Sequence, residues 1–233
     1  MKKSILLLAL AATSFSAVAQ KNLAPSATTT QAAPAGYTDM MAATIKDLMS
    51  TGDPAQLLSI SGKMERAAAV APADWLPRYY QAYALLINVF QSKEDGDAKD
   101  NTLDQAEAAL AKARKLGGDE SELLVLQAYI YQARLGVSPM MRSMTYPRMV
   151  DEAVAKAKKI NPANPRIYLV QANNKYYTPK MFGGGAEVAK PLFEEAKAKY
   201  AAFQPKSPLA PNWGERQVLG RLKSYETASA STN

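Results

Sequence analysis

The chain has 233 residues with no cysteine and no histidine, and its 28 Lys plus Arg against 21 Asp plus Glu give a formal charge of +7. Losing both residue types removes any disulfide, the thiol nucleophile, the commonest general base and the commonest transition-metal ligands. The composition therefore argues against an enzyme, and no metal and no cofactor is expected. Lysines and acids alternate along the chain without forming a block, so no nucleic-acid partner is expected either.

Two lysines, Lys2 and Lys3, precede an apolar run over 5–12 and the small residues Ala17-Val18-Ala19. This pattern predicts a secretory signal peptide over 1–19, cleaved after Ala19. A membrane span needs about 20 apolar residues, so none is expected, and the mature chain is placed in the periplasm or secreted further. Residues 20–36 are rich in Ala, Pro, Ser, Thr and Gln, with too little apolar surface to fold, and read as a disordered linker. Residues 37–226 carry one domain, and 227–233 form a small, polar, flexible tail.

Within the domain, apolar spacing of helical period predicts helices near 38–50, 54–71, 75–92, 102–116, 120–135, 147–160, 165–177, 186–203 and 212–226. Gln-Ala pairs at Gln81, Gln127 and Gln171 recur at a period of about 45 residues. A second helix follows each, spaced as Ala106, Leu110, Ala113, then Val150, Val154, Ala157, then Ala189, Phe193, Ala196, and an earlier copy reads Ile60, Met64, Ala67. Residues at i, i+4 and i+7 share one helical stripe, and alanine at its tightest point lets two helix axes approach closely. One helix pair cannot bury such a stripe alone, so the pairs stack around a shared core. The expected fold is all-α: about four stacked helix hairpins and a C-terminal capping helix.

The A-x3-F-x2-A-x4-P pattern, with Pro72 and Pro162 closing two of these helices, resembles the second helix of a tetratricopeptide repeat. The period is longer than the roughly 34 residues of that family, because the loop inside each pair is expanded. The chain also resembles a set of exported tetratricopeptide-like proteins of Bacteroidetes. That likeness is carried by Trp75 with Pro77-Arg78-Tyr79-Tyr80, Leu103-Asp104-Gln105-Ala106-Glu107, Pro139-Met140-Met141-Arg142, Asn164-Pro165-Arg166, Tyr177-Thr178-Pro179, Phe182-Gly183-Gly184-Gly185 and Pro211-Asn212-Trp213-Gly214. The resemblance implies an α-solenoid and an exported location, and names no ligand.

Three segments invite chemical readings. The acidic stretch 94–101 has carboxylates and a glycine, yet not the spacing of a calcium loop, and reads as a solvated loop whose Asn101 or Thr102 caps the next helix. Gly183-Gly184-Gly185 precedes a helix, but Ala186 and Glu187 stand where a phosphate loop needs Lys and Ser or Thr; the glycines read as a tight turn. Met140, Met141, Met144 and Met149 are thioether ligands by type, but Arg142 among them repels a cation, so they read as filler where a long loop covers the core.

The concave face of the stack remains. If each Ala after Gln is the close-packed position of a first helix, the groove-facing residues are Tyr79, Tyr83, Tyr129, Gln132, Arg166, Asn173 and Tyr177. Tyrosines offer large contact area and a hydroxyl at low entropic cost. The leading expectation is a periplasmic scaffold holding a protein or peptide partner in that groove; the alternative is an accessory protein that binds a small ligand or solute.

Overall fold

The computed structural model describes residues 34–230, with side chains through 227. The predicted signal peptide and most of the predicted linker lie outside the described residues. Ten α-helices follow in order: α1 Tyr37–Ser50, α2 Pro54–Val70, α3 Leu76–Gln91, α4 Gly96–Lys115, α5 Glu120–Val137, the short α6 Pro139–Arg142, α7 Tyr146–Ile160, α8 Pro165–Tyr177, α9 Ala186–Ala202 and α10 Glu215–Ala230. A 3₁₀ turn, Lys180–Phe182, links α8 to α9, and no strand occurs among the described residues. None of the described helices is long and apolar enough to cross a membrane.

The helix starts are written in short polar side chains. Asp53 accepts from the backbone N–H of Gln56 at 2.8 Å, Asp95 from Ala98 at 2.8 Å, and Asn164 from Arg166 at 3.1 Å. Each satisfies one amide that the first helical turn leaves unpaired. Pro54 and Pro165 then open α2 and α8, where a missing N–H is harmless.

Four hairpins result: α1/α2, α3/α4, α5/α7 and α8/α9. First helices touch first helices, α1 to α3, α3 to α5 and α5 to α8, and form one layer of the stack. The second helices form the other layer, and α10 packs on α9. The spacing read from the sequence explains the contact: Leu110, Ala113, Val150, Ala157, Ala189, Phe193 and Ala196 are all fully buried. Ala157 is fully buried in this packing, so Ala157→Phe is expected to lower stability by about 1–3 kcal/mol. The check is thermal unfolding, at roughly 2–4 °C per kcal/mol for a chain of this size; an unchanged melting temperature contradicts close packing there.

Three boundaries differ from the sequence reading, one of them the end of α10, which continues to Ala230 through residues read as the start of a flexible tail. α4 begins at Gly96, not near 102, because Asp95 is its cap. The stretch 94–101 is thus mostly helix and not a solvated loop. Asp100, in its second turn, pairs with Arg142 at 2.6 Å and with Arg134 at 2.9 Å. α10 begins at Glu215, not 212, because Gly214 adopts a left-handed φ of +108° and any side chain there would collide with the Tyr200 ring and hydroxyl. The glycine turn before α9 has a steric reason as well: a Cβ on Gly184 would strike the Thr178 carbonyl, and Gly183 and Gly185 both have positive φ.

Candidate functional site

The first-helix layer and α10 enclose a groove of about 1880 Å³, larger than the roughly 300–1,000 Å³ of ordinary small-molecule pockets. Its walls come from α1 (Ile45, Lys46, Met49), α3 (Tyr83, Ile87, Phe90), α5 (Tyr129, Gln132, Gly136), α8 (Asn173, Tyr177) and α10 (Arg216, Gln217, Gly220, Arg221). Aromatic rings line its deep side. Tyr83 stacks on Trp213 with ring centroids 4.8 Å apart, Tyr129 stacks on the same indole at 5.7 Å, and Phe90 leans on Tyr129 at 5.2 Å.

Trp213 belongs to the segment 203–214 between α9 and α10, which returns across the inner layer. Several hydrogen bonds hold it there. The Tyr80 hydroxyl donates to the Leu209 carbonyl at 2.9 Å, the Tyr200 hydroxyl to the Trp213 carbonyl at 2.9 Å, and the Trp213 indole N–H to the Tyr79 hydroxyl at 2.8 Å. Tyr79 in turn donates to Glu122 at 3.3 Å. Glu122 accepts two bonds from Arg166, from Nε at 2.8 Å and Nη2 at 2.5 Å, and a third from Asn164 at 3.0 Å. Burial works against the Arg166 charge, but the adjacent Glu122 carboxylate outweighs it and holds the guanidinium pKa above its ordinary value. The Arg166 guanidinium also lies 4.7 Å from the Phe203 ring centroid, a cation–π contact.

Of the residues the repeat register places in the groove, Tyr83, Tyr129, Gln132, Asn173 and Tyr177 line it. Tyr79 and Arg166 do not. They are 0% and 1% exposed, beneath the groove floor, because the returning segment 203–214 covers them. For both, the chain itself occupies the neighbouring space. Trp213, the centre of the floor, was visible in the sequence only as a marker residue. No local periodicity links it to Tyr79, 134 positions away.

Most polar groups on the walls are already paired. The Tyr129 hydroxyl donates to Gln217 at 3.0 Å, Gln132 donates to the Val170 carbonyl at 2.7 Å, and Arg221 donates to the Tyr177 hydroxyl at 3.0 Å while lying 4.0 Å from the Tyr176 ring centroid. Burial raises the pKa values of Tyr83 and Tyr129 and keeps both phenols neutral. At the mouth, Lys175 pairs with Asp151 at 3.6 Å and Arg148 with Glu152 at 3.7 Å. Lys46 and Arg216 line the groove with no ion-pair partner among the described residues. The groove thus offers the exposed ring of Phe90, with Tyr83 and Tyr129 largely buried in its wall, together with the exposed cationic side chains Lys46 and Arg216.

The methionine segment also departs from its sequence reading. Met140, Met141 and Met144 are 94%, 85% and 92% exposed, so they do not fill the core. Arg142 is the residue that turns inward, paired with Asp100 and donating to the Arg134 carbonyl at 2.8 Å. The arginine anchors α6, and the thioethers project from it at the groove edge, where Met144 joins the lining.

No protein-family model matches the chain, and no curated protein does. Among solved structures it is similar to the HusA haemophore from Porphyromonas gingivalis, at 37% sequence identity and a TM-score of 0.72. The alignment covers 81% of this chain and 93% of that one. That protein comes from the Bacteroidetes, the group to which the sequence markers point.

Proposed function

The chain belongs to the family of the HusA haemophore, and from that premise we propose that its groove binds haem, or the porphyrin ring of haem, as cargo outside the cytoplasm. The observation that carries the reading is the groove itself: ample volume, an aromatic wall of exposed Phe90 with the largely buried Tyr83, Tyr129 and Trp213, and the cationic side chains Lys46 and Arg216, which have no ion-pair partner among the described residues. A porphyrin has broad apolar faces for aromatic contact and carboxylates at one edge for Lys46 and Arg216. An extended peptide needs many free hydrogen-bonding groups along a groove, and here most of those groups are bonded to the protein itself. That favours the small ligand over a peptide scaffold. The stacked hairpins support classing the fold as a divergent tetratricopeptide-type solenoid. The apolar N-terminal pattern and the haemophore relative support an exported, non-catalytic carrier.

The mode of binding follows from composition. With no histidine or cysteine in the chain, and with burial raising the pKa values of Tyr83 and Tyr129, the reading places recognition on the ring faces and carboxylates of the ligand. Titration of the chain with haem and with iron-free protoporphyrin, followed by the Soret band, is expected to give dissociation constants within about tenfold of each other. Arg216→Ala is expected to weaken both by about five- to tenfold, the loss of one charge-assisted contact of about 1 kcal/mol. Absence of saturable binding contradicts the reading; binding of haem without binding of porphyrin contradicts the ring-based mode.

A further inference from the structure

Glycine inside a helix is unfavourable relative to alanine, because it loses more backbone freedom on folding and packs nothing. Helical glycines are usually explained by a crowded neighbour or a positive φ. Gly220, in the middle of α10, has neither: a Cβ built there meets no heavy atom within 4 Å, and its φ is not in the left-handed region. The same holds for Gly136 in the last turn of α5. Both line the groove. Folding supplies no reason for either, and the space each leaves open belongs to the site.

Their positions give that space a shape. α5 presents Tyr129, Gln132 and Gly136 to the groove, and α10 presents Gln217, Gly220, Arg221 and Ser224. The two walls are pinned together at the floor by the Tyr129 to Gln217 bond. Beyond that pin, Gly220 lies one turn further along α10, about 4.5 Å up the axis, and Gly136 about two turns along α5, roughly 10 Å. Each of the two walls therefore carries, within about two turns of that bond, a groove-lining position with no side chain.

We propose that Gly220, supported by Gly136, is a specificity-determining residue: the bare helix backbone leaves a flat slot that admits the face of a planar macrocycle and that any side chain would narrow. The proposal rests on the haem reading and adds to it the element that selects a flat, wide ligand. It separates the roles of the two walls. Aromatic rings on α3 and α5 provide attraction, and the glycines provide access.

The test compares Gly220→Ala, Gly220→Leu and Gly62→Ala with the wild type. Gly62 lies in α2, away from the groove, where an added Cβ makes only ordinary contact with Arg66 at 3.5 Å. Thermal unfolding without ligand is read beside Soret titrations with haem and iron-free protoporphyrin. Both alanine variants should raise the melting temperature by about 2 °C, as helix propensity dictates. Gly220→Ala should raise both dissociation constants about tenfold and Gly220→Leu about a hundredfold, while Gly62→Ala leaves them unchanged. Higher stability together with weaker binding is the signature that a merely structural glycine cannot produce. Wild-type affinity in Gly220→Leu overturns the proposal and leaves the haem reading standing. So does a Gly220→Ala protein that loses stability and affinity together. A wild type that binds neither porphyrin overturns the haem reading, and this inference with it.

Discussion

Glu122→Ala is expected to destabilise the protein by about 3–5 kcal/mol, a large share of the stability of a domain this size. The size of the effect comes from what the substitution strands. Arg166 is 1% exposed, and Glu122 is its sole ion-pair partner among the described residues. Removing the carboxylate leaves a buried guanidinium with no counter-charge, and Asn164 and Tyr79 lose an acceptor at the same time. The pair itself need not stabilise the fold relative to an apolar replacement, since desolvation of two charges offsets most of their attraction. Glu122→Leu combined with Arg166→Met should therefore recover much of the loss. Urea unfolding of the single and double variants checks this. A single variant within about 1 kcal/mol of wild type would show that the pair is not the buried element described here.

Trp213→Ala is the second large effect, about 3–5 kcal/mol for removing a buried indole, and it reaches the site as well as the fold. Trp213 is 2% exposed, and both Tyr83 and Tyr129 stack on its ring. Trp213 thus backs both tyrosines of the groove wall. At a temperature where the variant is still folded, haem affinity should fall by more than tenfold, although the deleted ring is not itself the contact surface. Trp213→Phe separates the indole hydrogen bond from ring area. It loses the N–H donated to Tyr79 and should cost about 1–2 kcal/mol, with a smaller loss of affinity. Urea unfolding and Soret titration of the two variants test the order. Equal affinity in Trp213→Ala and the wild type contradicts a supporting role for this floor.

The helix pairs were legible because their signal is local. Ala106-x3-Leu110-x2-Ala113 and its copies fix which side of a helix is buried within seven residues, and the structure buries them. The start of α4 was missed for a local reason too. Asp95 and Asp97 suggest cation ligands in isolation, yet Asp95 sits three residues before the amide it caps, and that spacing is the signature of a helix start. The methionines were read as filler over the core because residue type alone says that methionine goes in; Arg142, drawn to Asp100 of α4, takes the inward place instead. The groove was legible where the repeat register alone decides it, at Tyr83, Tyr129, Gln132, Asn173 and Tyr177. It was not legible at Tyr79 and Arg166. Their fate depends on a segment that returns from beyond the last hairpin, a contact between residues far apart in the chain.

That returning segment covers the inner layer of the stack at Tyr79, Tyr80 and Arg166. Without Leu209 and Trp213 across the inner layer, the first helices would present Tyr79, Tyr80 and Arg166 to solvent as a broad polar and aromatic face. With them, the Glu122–Arg166 pair is sealed below the groove. The packing link and the functional link are therefore the same set of bonds.

The most direct measurement is backbone amide chemical-shift mapping of the protein during titration with iron-free protoporphyrin, whose lack of iron keeps the spectra diamagnetic. Haem-type binding in the groove predicts the largest shifts at Tyr83, Tyr129, Gln132, Asn173 and Gly220, with little change along the outer faces of α2, α4 and α7. Shifts concentrated on those outer helices, or none at all under saturating ligand, would contradict it.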